Sequence, residues 1–369
     1  MKASERAEPV ERTGRDNGPD RARRRPDVPR GAVTAADGIL VVDKPQGLTS
    51  HDVVGATRRL AATRKVGHAG TLDPMATGLL LLGIGRATRF LTYLVGADKT
   101  YEATVRLGVE TTTEDADGEI VAARGCQSSD LPEGRLREAL TTLTGPIQQV
   151  PSAVSAIKVD GVRAYQRVRD GQDVELQARP VTIHELRLTA EPRKAIVEAA
   201  LSDGPDVVEA VDIDILVSCS SGTYVRALAR DLGRALGCGA HLTALRRTAV
   251  GPFDIDEAHT LADLSAKVET DASSPEPHGV TTLPLEEVAR RCFEQLALTE
   301  GEARALRYGQ PLDAEVLERA EAPEGRRLQA FAKTAEQRVV AGFAPGGRLV
   351  ALLRHQGPRA RPVLVLDPA

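Results

Sequence analysis

Asp73 is the residue of this chain best placed to do chemistry. It sits in Lys65-Val66-Gly67-His68-Ala69-Gly70-Thr71-Leu72-Asp73-Pro74-Met75-Ala76-Thr77-Gly78. Glycine lets backbone approach backbone or ligand closely, and proline fixes its own φ while restricting the residue before it. The apolar run 79–82, four leucines, follows and reads as a buried strand. A carboxylate on a shaped loop beside a core strand suits a nucleophile. An isolated Asp-Pro more commonly marks a turn in which Asp bonds its own backbone. The punctuation by Gly67, Gly70, Pro74 and Gly78 sets this one apart.

The stretch resembles the G-H-x-G-x-L-D-P-x-A-x-G motif that carries the catalytic aspartate in the TruB family of tRNA pseudouridine synthases. Upstream, Lys44-Pro45-Gln46-Gly47-Leu48-Thr49-Ser50 resembles that family's K-P-x-G-x-(T/S)-S segment. Tyr101 with its strand, Gly222-Thr223-Tyr224-Val225-Arg226 and Leu245-Arg246-Arg247 follow in the family's order and approximate spacing. The resemblance covers roughly residues 38–255. One segment departs from it: Val150-Pro151-Ser152-Ala153-Val154-Ser155-Ala156-Ile157-Lys158 lacks the second proline and the aromatic of P-P-x-(Y/F)-S-A-x-K.

The resemblance implies isomerisation of uridine-55 in the T-loop of tRNA to pseudouridine. The N1–C1′ bond breaks, the base rotates and a C5–C1′ bond forms. A stacked base must first be flipped out, at a cost of a few kcal/mol. In this scheme Asp73 is the nucleophile, attacking either the uracil ring or C1′. Tyr101 stacks on the flipped base and assists proton removal at C5. Arg226 pairs with Asp73 and keeps it ionised and placed. Tyr224 and Leu245 line the uracil pocket, and His68 fills the space the base leaves. Lys44 and Pro45 support the loop. No metal or cofactor is implied. The partner is tRNA, engaged through its T-loop and stem. The enzyme is expected to be a cytoplasmic monomer without an obligate protein partner. Two other readings share the residues: a tRNA-binding and folding protein whose catalysis is secondary, and a guide-RNA-dependent pseudouridine synthase.

The rest of the sequence must position these groups. A chain of 369 residues accommodates two domains, at ~100–200 residues each. Its balance of 41% hydrophobic and 27% charged residues is that of a soluble globular protein. No apolar run approaches the ~18 residues of a membrane span, and the N-terminus lacks the apolar core of a secretory signal. Cys126, Cys219, Cys238 and Cys292 form no C-x-x-C pair, which argues against a disulfide framework or a structural zinc. The net charge of −4 decides little, because nucleic-acid binding depends on where basic residues cluster. Arg58, Arg59, Arg64 and Lys65 precede the Asp73 loop, and these, with Arg246 and Arg247, are expected to face phosphates.

Residues 1–36 read as a disordered tail, with a basic run at 21–25. Ile39-Leu40-Val41-Val42 reads as a strand, and Ser50 as the N-cap of a helix carrying Val53, Val54, Thr57 and Leu60. Tyr101, Ala103, Val105 and Leu107 alternate as the inner face of a strand. Asp115-Ala116-Asp117-Gly118-Glu119 lacks the remaining ligands of a calcium loop and reads as a hairpin turn. Residues 163–169 read as a short basic helix, and 193–208 as a polar surface excursion. Val211, Ile213, Ile215 and Val217 alternate again, a helix follows over 224–236, and 241–248 form a strand. The expected fold is α+β. A catalytic domain over 37–265 has a mixed, mainly antiparallel sheet with helices packed on it. A Ser/Pro/acidic linker over 266–280 joins it to a small β-rich, PUA-like RNA-binding domain over 281–369, in which a helix over 285–296 precedes short β-runs.

Overall fold

Alternating apolar residues from Tyr101 to Leu107 build the strand at the centre of the fold. The computed structural model describes residues 26–152, 158–159, 162–163, 176–199, 207–323 and 338–369. In chain order the elements are β1 (Gly38–Lys44), α1 (Ser50–Leu60), β2 (Val66–Ala69), β3 (Thr77–Ile84), α2 (Ala87–Leu94), β4 (Lys99–Leu107), β5 (Val109–Thr111), β6 (Ile120–Ala123), α3 (Glu133–Thr142), β7 (Gly145–Gln149), β8 (Lys158–Val159) and β9 (Val162–Arg163). There follow β10 (Arg179–Leu188), β11 (Arg193–Glu198), β12 (Val207–Cys219), α4 (Val225–Leu236), β13 (Ala240–Val250), β14 (Phe253–Asp254), α5 (Leu261–Ala272) and α6 (Leu285–Cys292). The C-terminal part holds β15 (Glu294–Ala297), α7 (Glu300–Arg307), β16 (Leu312–Asp313), β17 (Val339–Phe343), β18 (Leu349–Gln356) and β19 (Arg359–Val365).

The large sheet runs β1-β3-β13-β4-β12-β10-β7, with β2 on β3, β11 on β12 and β14 on β13. Its pairings are antiparallel except β13 with β3, which meet in parallel at Arg246↔Thr77 and Arg247↔Gly78. Gly78 makes that meeting possible: at φ +100°, a Cβ there would lie 2.2 Å from the Arg247 carbonyl oxygen. The fold is therefore the mixed, mainly antiparallel α+β sheet that the sequence leads one to expect.

Three apolar cores hold the site in place. The inner face of β4 packs with Ile213, Ile215 and Val217 of β12 and with Leu228 and Leu232 of α4. On the other side, α1 packs Val53 and Leu60 against Leu40, Val42, Leu80 and Leu82. A third core joins the large sheet to the C-terminal sheet, whose order is β15-β17-β18-β19-β16. It contains Ile39, Phe90 and Leu94 together with Leu285, Phe293, Val339, Leu352 and Leu364.

Several expectations are corrected. The N-terminal 26–36 stretch is not a free tail: Val28 and Ala35 are buried, and Gly31 and Ala35 N–H groups donate to the Arg59 and Ala61 carbonyls at 3.0 Å each. Bonds made through the backbone leave no apolar pattern to read. Thr49, not Ser50, caps α1, in a reciprocal capping box with Asp52. The polar excursion at 193–208 contains β11, which pairs with β12 from Arg193↔Asp212 to Glu198↔Val207. The linker at 266–280 begins inside α5, whose Leu264 and Val268 are buried and whose Thr260–Asp263 capping box starts it. The helix expected over 285–296 ends at Cys292, and the chain turns into β15. The basic run at 21–25 and residues 164–169 of the expected basic helix lie outside the described residues, and Arg163 ends β9.

Candidate active site

Asp73 lies on the loop between β2 and β3, and that loop is held from both sides. Ser50, buried at the start of α1, accepts from Leu72 N–H at 2.9 Å and donates to Leu72 O at 3.2 Å. The wholly buried Lys44 donates to the carbonyls of Pro45 at 2.9 Å, Leu48 at 2.7 Å and Pro74 at 3.4 Å. Gly47 N–H adds a bond to Pro74 O at 2.8 Å. Lys44 and Gly47 thus hold the carbonyl of the residue immediately after Asp73. Burial pulls the Lys44 ammonium down to about 8, against the attraction of Asp73.

Arg226 comes from the first turn of α4. Its Nε donates to Asp73 Oδ2 at 2.9 Å, and its Nη1 to Thr113 O at 2.8 Å and Ser152 Oγ at 3.3 Å. Asp115 Oδ2 lies 3.5 Å from the same Nε. The Arg226 side chain is 5% exposed and that of Asp73 is 39% exposed. A buried guanidinium therefore holds a carboxylate that still faces solvent. Burial raises the Asp115 carboxyl above the usual range, while its bond from Thr113 and the Arg226 charge pull the other way.

Tyr101 pairs across β4 with Val217 on one side and Arg247 on the other, so all three side chains share the inner face. Leu245 pairs with Ala103, one step along on that face. Burial pushes the Tyr101 phenol up, with Arg247 opposing, so near neutral pH a phenol stands there. Tyr224, half-buried just before α4, is fixed by Gln149, whose amide accepts from Tyr224 N–H at 2.9 Å and donates to Tyr224 O at 3.2 Å. His68 stands on β2 with its ring edge-to-face against His51, centroids 5.5 Å apart. Its Nδ1 is buried without a hydrogen-bond partner among the described residues. Burial and then His51 hold its pKa down, so His68 is neutral near pH 7.

Sequence reasoning missed part of this constellation. Asp115 looked like a turn residue, yet its carboxylate faces Arg226. Gln149, Thr113 and Ser152 carried no signal, because each acts only through hydrogen bonds to a residue distant in sequence. Arg247 is the clearest misreading. It is 1% exposed, with Nε donating to Leu79 O at 2.7 Å and Nη2 to Gly70 O at 3.1 Å, and so does not lie on a phosphate-contacting surface. It ties the Asp73 loop to β3. Arg246 is partly exposed and pairs with Asp43 at 2.7 Å.

Comparison with known proteins agrees with this architecture. The profile of the TruB family pseudouridylate synthase N-terminal domain matches residues 58–225. That of the tRNA pseudouridylate synthase B C-terminal domain matches 226–289, and that of the tRNA pseudouridine synthase II C-terminal region matches 319–367. The chain is 51% identical over 333 residues to the tRNA pseudouridine synthase B of Arthrobacter sp. (strain FB24), covering 90% of this chain and 97% of that protein. It is also 51% identical to that of Paenarthrobacter aurescens (strain TC1), covering 90% and 95%. Among solved structures, a chain of an H/ACA RNP bound to a substrate RNA containing 2′-deoxyuridine matches with a TM-score of 0.60 at 23% identity, over 90% of this chain and 85% of that one, a likeness of fold. The chain belongs to the TruB family of pseudouridine synthases.

Proposed function

We propose that Asp73 is the nucleophile with which this chain isomerises uridine-55 in the T-loop of tRNA to pseudouridine. The chain is an isomerase acting on tRNA, as its family and its curated relatives are. The observation that carries the catalytic assignment is the 2.9 Å bond from buried Arg226 to the part-exposed Asp73 carboxylate. Arg226 engages Oδ2, and Oδ1 is left to attack the flipped nucleotide at the uracil ring or at C1′. The N1–C1′ bond breaks, the base turns about, C5 bonds to C1′, and the C5 proton is lost while N1 gains one. No atom is added or removed overall, so the residues need only orient, stabilise and move a proton.

Placement supports the remaining roles. The Tyr101 ring offers a buried stacking face on the inner side of the sheet, and as a neutral phenol its hydroxyl serves the C5 proton transfer by hydrogen bonding. Leu245 and Tyr224 form the walls of the uracil pocket. Neutral His68 takes the vacated position in the loop, where insertion of an uncharged ring costs less desolvation than that of a charged one. Lys44 and Pro45 keep the loop in register. The enzyme acts in the cytoplasm as a monomer, without cofactor, guide RNA or protein partner.

Incubating the purified protein alone with an unmodified tRNA transcript, in the presence of a chelator, tests this reading. Pseudouridine at position 55 is the expected product. Tight binding without product would favour an RNA-folding protein, and a requirement for a second RNA would favour a guide-dependent enzyme.

A further inference from the structure

We propose that Cys238 and Cys126 form an oxidation site, in which Cys238 takes a hydroperoxide and Cys126 then closes an intramolecular disulfide. The two are far apart in sequence, and the fold brings them together. Cys126, just past β6, is buried in the core shared by β4, β12 and α4. Half-buried Cys238, just past α4, packs against that core. Gly108, at the end of β4, joins their backbones. Its N–H donates to Gly239 O at 2.8 Å and its O accepts from Gly125 N–H at 3.0 Å, and these two glycines are the chain neighbours of the two cysteines. The approach is so close that a Cβ on Gly108 would lie 2.8 Å from Cys126 N. Both cysteine backbones are also fixed, Cys126 N–H donating to Glu209 O at 2.8 Å and Cys238 N–H to Gly233 O at 3.1 Å. The side chains meet, and the Cys126 thiol donates toward the Cys238 sulfur.

The surroundings divide the roles. Arg135 Nη2 donates to Leu236 O at 2.7 Å, which sets its guanidinium at the C-terminal end of α4, beside Cys238. Burial holds the Cys238 thiol above its usual range, but the Cys126 thiol, the Gly108 N–H and the Arg135 charge all favour its thiolate. Burial and then Cys238 itself push the Cys126 thiol up to about 12. Cys238 is therefore the first nucleophile, since the thiolate is the reacting form and this sulfur is the more accessible. It attacks one peroxide oxygen: an S–O bond forms, the O–O bond breaks, and the departing hydroxide takes up the proton that Cys238 lost. Cys126 then attacks the Cys238 sulfenic acid: the S–S bond forms, the S–O bond breaks, and the leaving hydroxide takes the Cys126 proton. The two thiols give up two electrons, and the peroxide is reduced to two waters. The disulfide ties the end of the β5–β6 hairpin to the end of α4. Thr113 between those strands accepts from Arg226 of α4, which holds Asp73. The bond thus closes the frame around that guanidinium and touches no residue of the site. Such a pair in a cytoplasmic enzyme is redox-responsive, not a permanent staple.

The test treats the reduced, full-length chain with hydrogen peroxide, quenches it in acid, and maps its peptides by mass spectrometry after unfolding and alkylation. Wild type should yield the Cys126–Cys238 linked peptide from a single chain, and dithiothreitol should return both thiols. Cys219 and Cys292, buried and with thiols raised by that burial, serve as internal controls and should remain alkylatable. In Cys126→Ser, Cys238 should stop at the sulfenic acid, trapped by dimedone, and pass on to the sulfinic acid. In Cys238→Ser, Cys126 should stay a thiol, and this split fixes the order of attack. Oxidised wild type should melt on the order of 5 °C above the reduced protein, a shift that both variants lack. Peroxide that leaves Cys238 a thiol, oxidises it without linking it to Cys126, or links it to a second chain would overturn the proposal. These outcomes are read on wild type, so they hold even if a serine variant fails to fold.

Discussion

Arg226, Arg247, Lys44 and Lys99 are all buried beneath or beside the Asp73 loop, and each is satisfied largely by backbone carbonyls or by a carboxylate from another element. Cations buried this way fix geometry, because a displaced partner would leave a charge without solvation. Lys99 shows the cost. Its ammonium donates to Val95 O at 2.9 Å and Ala97 O at 2.5 Å, and burial lowers it from 10.5 to about 8. Between those two values the unfolded chain holds more protons than the folded one, so stability rises with pH across this window. Relative to Lys99→Met, wild-type unfolding free energy should therefore increase between about pH 8 and pH 10, by roughly 1–3 kcal/mol. Parallel curves for the two proteins in denaturant titrations would show that Lys99 is not titrating as described.

The elements owe their arrangement to a few crossings that only particular residues permit. Gly78 is one, at φ +100° beneath the Arg247 backbone. Gly78→Ala should lower Tm markedly and cost several kcal/mol, since it must break the β3–β13 contact as well as adopt a strained φ. Gly47→Ala should cost less, because φ there is +84° but no atom lies within 4 Å of the added Cβ. A loss at Gly78 no larger than at Gly47 in thermal unfolding would contradict this account. The sequence showed strands where apolar residues alternate, as in β4 and β12, and it showed the Asp73 loop through its Gly and Pro spacing. It did not show α5, where a capping box opens a helix that runs into the Ser/Pro-rich stretch, or β11, where outward polar side chains hide a backbone ladder. It also misplaced Arg247, because an arginine bonded to carbonyls has the same letter as one on a phosphate surface. Asp115 was hidden for a related reason: its role depends on Arg226, far away in the chain.

At the scale of the molecule, the two sheets share a core instead of standing apart. Phe293, just past α6, meets Phe90 of α2 edge-to-face at 5.5 Å and lies near Tyr93 at 6.5 Å. Phe293→Ala should destabilise both sheets together, by about 3–5 kcal/mol. Calorimetry should show one transition moving to lower temperature, and two separated transitions would mean that the sheets fold independently. No described helix is long and apolar enough to cross a membrane.

Asp73→Asn tests the assignment of Asp73 as nucleophile most directly. Asn is nearly isosteric, so the loop braced by Ser50 and Lys44 keeps its shape, but its amide is a poor nucleophile and offers Arg226 no charge. Binding rests mainly on phosphate contacts and loop shape, which the substitution leaves in place. Pseudouridine formation in unmodified tRNA should be measured by mass spectrometry under single-turnover conditions, beside tRNA affinity. Product should vanish while affinity stays within a few-fold of wild type. Pseudouridine formed by Asp73→Asn at the wild-type rate would contradict the assignment of Asp73 as nucleophile.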